Sequence, residues 1–187
     1  MFMYTHRPHS ALFGSYMPEE LDDCLKLHKY LSPNLKDKLL FRYPDHGNEE
    51  GWFNSKNRVI NSLGKESISQ CSKMLDTFKE SKILICKYPQ TTFAEAMFSR
   101  IPTILSYNEN CWDFNENFDL LVQNLKQNKI IINDVRELAS HINFYWNNLD
   151  EWWMSKKTKQ AKENFFEVCC KYNKNWLNEW SDFFKRQ

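Results

Sequence analysis

The sequence predicts an α/β fold: a doubly wound parallel sheet finished by long carboxy-terminal helices. Three observations carry this expectation. First, Lys82-Ile83-Leu84-Ile85-Cys86-Lys87-Tyr88 and Ile101-Pro102-Thr103-Ile104-Leu105 read as buried strands on either side of a short apolar helix from Thr91 to Arg100. A strand–helix–strand unit this compact has the size of a crossover onto a parallel sheet. Second, short strands and helices alternate, with brief connections, along the rest of the chain. Third, Phe165, Cys169, Tyr172, Trp176, Trp180 and Phe183 recur at steps of three and four, the period of a helix face.

Composition narrows the field. A length of 187 residues supports one domain with a substantial core. Hydrophobic residues make up 42% and aromatics 16%, enough to fold rather than stay disordered. The formal charge is +1, from 25 basic and 24 acidic residues, without the basic excess that tracking a phosphate backbone demands. The run Lys156-Lys157 with Lys159 and Lys162 reads as a solvated helix face, so nucleic acid is not an expected partner. Six cysteines occur and none has C-x-x-C spacing, which speaks against a zinc site or a disulfide framework. Met1-Phe2-Met3-Tyr4 is too short for a leader, and no apolar run approaches the ~20 residues of a membrane span. A cytoplasmic location is expected.

In order along the chain, Met1 to Thr5 reads as a strand or the tail of one. A domain seldom opens inside a core strand, so a missing amino-terminal domain or partner subunit is expected. Pro18-Glu19-Glu20 opens a helix, with Pro suited to the first position and the acids to the positive end. Leu21, Cys24, Leu25, His28 and Leu31 continue it until Ser32-Pro33 stops the run. Leu39-Leu40-Phe41-Arg42-Tyr43 is a short strand ended by Pro44-Asp45. Asp45 to Lys65 reads as a loop with a short helix, Ser67-Ile68-Ser69 as a brief strand, and Met74, Leu75 and Phe78 as a helix. Beyond the crossover, Phe118 to Gln127 is amphipathic and Lys129-Ile130-Ile131-Ile132 is a strand. Asp134 with Glu137 forms a capping-box start for the next helix. Residues 1–150 are thus expected to form a Rossmann-like domain, and residues 151–187 terminal helices packed on it.

Ligands on such sheets bind beyond the carboxyl ends of the strands. Tyr88-Pro89-Gln90-Thr91-Thr92-Phe93-Ala94-Glu95 lies at such a strand-to-helix turn. Free backbone N–H groups and two hydroxyls at a helix start favour an anion, because unpaired donors and the helix dipole face it together. Thr91 and Thr92 are therefore candidates for pyrophosphate and Glu95 for ribose hydroxyls, with Tyr88 at the strand end a further candidate for substrate binding. The alternative is a plain capping box, with Glu95 reaching back to the Thr92 amide. Arg42 and Arg58 are candidate phosphate clamps, since guanidinium binds phosphate in a bidentate way; surface ion pairs are the alternative. His6 and His9 lack a nearby carboxylate, so no metal is expected. Asp45-His46 suits a turn better than acid–base work, Trp52 and Phe53 suit packing, and Cys111 has no identifiable base beside it.

The order of apolar strand, Thr91-Thr92, Glu95, small-residue helix and Ile101-Pro102-Thr103-Ile104 resembles the donor-binding segment of GT-B glycosyltransferases and their epimerase relatives. The resemblance extends upstream through Arg42-Tyr43-Pro44, Gly51-Trp52 and Arg58. Downstream it runs through Asp119-Leu120-Leu121, Ile130-Ile131, Trp152-Trp153, Gln160-Ala161 and Phe165. The set is similar to transferases of O-antigen and related surface-carbohydrate synthesis, and covers most of the chain. It implies the carboxy-terminal, nucleotide-sugar-binding half of such an enzyme, with a nucleotide-diphosphate sugar as partner and no further cofactor. It also places His6 and Arg7 near an interdomain cleft, within reach of the diphosphate. The glycine-rich amino-terminal half of that family is absent, as is any Gly-rich phosphate loop. Two other readings stand beside it: a non-catalytic subunit docking through its aromatic terminal helices, or the half-domain of a polyol-phosphate transferase or sugar epimerase.

Overall fold

The computed structural model describes residues 17–43, 54–71, 73–112, 114–170 and 173–186. The expected strand at Met1–Thr5, together with His6, Arg7, His9, Asp45, His46, Trp52 and Phe53, lies outside them. Helix α1 spans Met17–Tyr30. It buries Leu21, Cys24 and Leu27, with Leu31 just beyond, while Leu25 and His28 are only half-buried. The inward stripe thus runs through Leu27 rather than through Leu25 and His28. Ser32-Pro33 ends α1 as expected, but Pro33 immediately starts a single turn, α2 (Pro33–Lys36), in which its lack of an N–H costs nothing. Helices α3 (Ser55–Leu63) and α4 (Met74–Glu80) follow.

The centre of the molecule is a small parallel sheet. Strands β1 (Leu84–Cys86) and β2 (Thr103–Leu105) pair with Leu84 opposite Thr103, Ile85 opposite Ile104 and Cys86 opposite Leu105. All six residues are buried, the pattern of strands covered on both sides. A parallel bridge from Leu105 to Ile131 adds a third strand position, closed by Leu105 N to Ile130 O at 2.8 Å and Ile132 N to Leu105 O at 3.0 Å. The two other expected strands meet in one more parallel bridge, Phe41 to Ile68. The fold is therefore α/β, and among the described residues the sheet is much narrower than the helices around it.

Helix α5 (Thr91–Phe98) is the crossover between β1 and β2 and packs against both. Helix α6 (Asp119–Gln127) leads to Ile130–Ile132, and α7 (Val135–Tyr145) packs along α1. The Asp134 carboxylate caps α7 by accepting from the Arg136 and Glu137 amides at 3.0 and 2.8 Å. Glu137 does not reach back to complete the expected box; its carboxylate takes Lys129 instead.

The terminal segment breaks into α8 (Leu149–Trp153), α9 (Lys156–Cys169) and α10 (Trp176–Lys185). Helix α9 buries Thr158, Ala161 and Phe165 against α5 and α6. Helix α10 buries nothing: Trp176, Leu177, Trp180, Phe183 and Phe184 are all more than half exposed. Of the aromatic stripe expected on the terminal helices, Phe165 is core, whereas Trp176, Trp180 and Phe183 are exposed. Among the described residues no helix is long and apolar enough to cross a membrane.

Candidate functional site

Side chains alternate across a strand, so the register sorts the sheet into two faces. Leu84, Cys86, Thr103, Leu105 and Ile131 share one face; Ile85, Lys87, Ile104 and Ser106 share the other. On the first face, Leu105 and Ile131 line an apolar cavity of about 430 Å³ with Phe93 of α5, Leu121 and Leu125 of α6 and Phe165 of α9. Its mouth is bordered by Gln90, Thr91 and Asn115. On the second face, Ile85, Lys87 and Ser106 meet Cys24 and Leu27 of α1 and Val135 and Leu138 of α7.

The turn into α5 carries the expected donors. Helix α5 begins at Thr91, with Gln90 as its amino cap and no side-chain capping bond. Among the described residues the Thr91 and Thr92 amides meet no backbone acceptor, whereas Phe93 N already donates to Gln90 O at 2.9 Å. The capping box expected as an alternative is not formed, because the helix starts one residue before Thr92 and places Glu95 beyond the capping position. Glu95 is exposed on α5, Thr91 is exposed and Thr92 half-buried.

The other candidates are dispersed. Tyr88 is buried, its ring 6.2 Å from that of Trp112. Arg42 is buried directly after the Phe41 bridge, 7% exposed. Arg58 lies exposed on α3 and pairs with Asp22 Oδ1 at 3.4 Å, the surface ion pair weighed as its alternative. Among the described residues, Thr91 is the one predicted site residue that lines the 430 Å³ cavity.

At the same carboxyl edge lies a polar cluster in which sequence reasoning, though it reaches Ser106 to Asn110 as strand-end positions, singles out neither Lys87 nor Asn133. Lys87, the residue after β1, is 8% exposed, and its Nζ donates to Ser106 Oγ at 3.4 Å. Asn133, after the third strand position, accepts from the Tyr107 amide at 3.0 Å and donates to Glu109 Oε1 at 3.0 Å. Glu109 is held below the usual carboxylate range by its hydrogen bond to Lys126. The available signal was Lys87 itself, a charge ending a run that otherwise reads as buried. Of the cysteines, Cys86 lies in the core, where burial pushes its thiol up to about 12 and makes it inert. Among the described residues no group of three His, Cys, Asp or Glu side chains is placed to hold a metal ion.

An open helix start and a polar cluster thus stand together at the carboxyl end of parallel strands, the edge at which ligands bind on such sheets. The chain matches no curated protein and no solved structure. A family model described as LIC12162 family transferase matches residues 1–184, and the chain belongs to that family of transferases.

Proposed function

We propose that this transferase chain is the nucleotide-sugar-binding half of a glycosyltransferase-like enzyme of bacterial surface-polysaccharide synthesis, with a GT-B-type, Rossmann-like arrangement. The observation that carries the reading is the start of α5. Two amides without backbone acceptors, two threonine hydroxyls and an exposed carboxylate one turn on stand at the carboxyl end of a parallel strand. In this reading Thr91 and Thr92 hold the diphosphate, Glu95 takes the ribose hydroxyls, and the neighbouring apolar cavity is large enough for a base. The chemistry is electrostatic: donors fixed in advance stabilise the departing diphosphate while a sugar moves to its acceptor. Arg42, Arg58, His6, Arg7 and Tyr88 belong to the same proposal as further contacts.

Isothermal titration with UDP and UDP-sugars tests it. Wild type should bind weakly, and Thr91→Ala combined with Glu95→Ala should abolish binding without moving the thermal midpoint, because both side chains are exposed. Equal titration of wild type and double variant would remove the α5 turn from the site. A second reading is favoured by one observation, the unburied aromatic face of α10: an interaction subunit that docks through its terminal helix.

A further inference from the structure

On the face of the sheet that meets α1 and α7, a cavity of about 30 Å³ is lined by Lys87, Ser106 and Asn133, with Asp23, Leu39 and Phe41 around them. Lys87 is buried, and lysine is almost never buried unless it is paired. Its ammonium has three protons to donate, yet its one hydrogen bond among the described residues is the long contact to Ser106 Oγ at 3.4 Å. None of the ion pairs among those residues includes it. Asp23 borders the same cavity, but its carboxylate accepts from Lys26 Nζ at 3.0 Å. Packing does not explain the charge. Ile85, Leu27, Leu39 and Leu138 line the same cavity, and methionine at position 87 would have nearly the volume of lysine without burying an ammonium.

Among the described residues no acid pairs with this buried cation, so an anionic ligand can complete the pair. We propose that Lys87 and Ser106 form a seat for a phosphoryl oxygen, with Lys87 supplying the charge and the Ser106 hydroxyl a second donor. The size of the cavity sets how the ligand enters. Roughly 10–15 Å³ suffices for a water-sized group, so this cavity of about 30 Å³ admits an oxyanion edge and excludes the body of a nucleotide. The ligand therefore presents an anionic group and keeps its bulk in solvent. A diphosphate fits this demand, because it carries separated oxyanions: one for Lys87 and the rest left at the open carboxyl edge of the strands, where α5 also begins. The proposal rests on the nucleotide reading only for the remainder of that ligand; the seat itself requires a phosphoryl group alone.

Titration of the full chain with inorganic pyrophosphate, inorganic phosphate and UDP tests the seat. Wild type should bind pyrophosphate at millimolar concentration or better, and Lys87→Met should weaken it about tenfold or more, the effect of losing a charge-assisted bond. Ser106→Ala should weaken it by a smaller factor. Without ligand, Lys87→Met should melt at the same temperature as wild type or higher, since it removes an uncompensated buried charge. A lower midpoint, or failure to fold, assigns the lysine to structure and overturns the proposal; so does pyrophosphate binding equal to wild type, or no pyrophosphate binding by wild type. The UDP arm separates this idea from the preceding one. If pyrophosphate binding depends on Lys87 while UDP adds no affinity, the seat stands and the nucleotide reading falls. If UDP binds irrespective of Lys87, the nucleotide reading stands and the seat falls. Phosphate binding as tightly as pyrophosphate identifies free phosphate as the source.

Discussion

His141 shows how one residue on α7 records the packing around it. Its ring lies 4.6 Å from Trp152 and 4.8 Å from Tyr145, and Nε2 is buried without a hydrogen-bond partner. Burial, and then the charge of Lys129, hold its pKa down to about 4, with Glu137 opposing. The folded chain therefore refuses a proton that the unfolded chain accepts from about pH 6.5 downward. Stability contributed by neutral His141 is complete above that pH and is lost as pH falls towards 4. Thermal unfolding followed by circular dichroism should show a midpoint that drops between pH 7 and 4.5, and His141→Phe should make that drop smaller. An identical drop in the variant would assign the acid sensitivity to carboxylates elsewhere. Glu95 teaches a different point at the same scale: a T-x-x-E spelling reads as a capping box, but where the helix begins decides whether it is one.

At the scale of elements, the five residues of α8 hold two longer helices in place. Trp152 Nε1 donates to Asn128 O at 2.8 Å and Trp153 Nε1 donates to Arg100 O at 3.0 Å. Those carbonyls lie just past the ends of α6 and α5, where helices leave acceptors unpaired. Each indole thus joins burial of a large ring to satisfaction of a helix end. The chain leaves both helices through left-handed residues, Arg100 at φ 61 and Lys129 at φ 58, positions where glycine is usual. Trp153→Ala should cost about 3–5 kcal/mol in urea unfolding, from the lost ring and the carbonyl it leaves unpaired. A loss below about 1 kcal/mol would mean that α8 is not the clamp. The sequence marked Trp152-Trp153 only through resemblance, because two adjacent tryptophans do not specify which carbonyls they meet.

At the scale of the molecule, a single core runs from α1 through the sheet to α9 and stops before α10. Trp176, Trp180, Phe183 and Phe184 stand on one side of that last helix, and Trp180 stacks on Phe184 with ring centroids 5.5 Å apart. Such a face contributes little to the stability of the isolated chain, whatever it contributes to a complex. Trp180→Ser with Phe183→Ser should therefore leave the unfolding free energy within about 0.5 kcal/mol of wild type. Light scattering on the same pair of proteins tests the docking reading: association in wild type that vanishes in the variant supports it. Monomeric behaviour with Trp176 and Trp180 shielded from a quencher removes it.

By itself the sequence determined the alternation of strand and helix, the crossover from Leu84 to Leu105, and the helix start at Thr91. These are local properties: hydrophobic period, turn chemistry and helix-start signals all lie within about ten residues of each other. Only the tertiary structure decided which helices cover which face, that Arg58 meets Asp22, that the aromatic stripe divides after Phe165, and that Lys87 lies buried beside Ser106. Each depends on contacts between segments far apart in the chain, and burial of a charge is legible only once the neighbours that exclude water from it are in place.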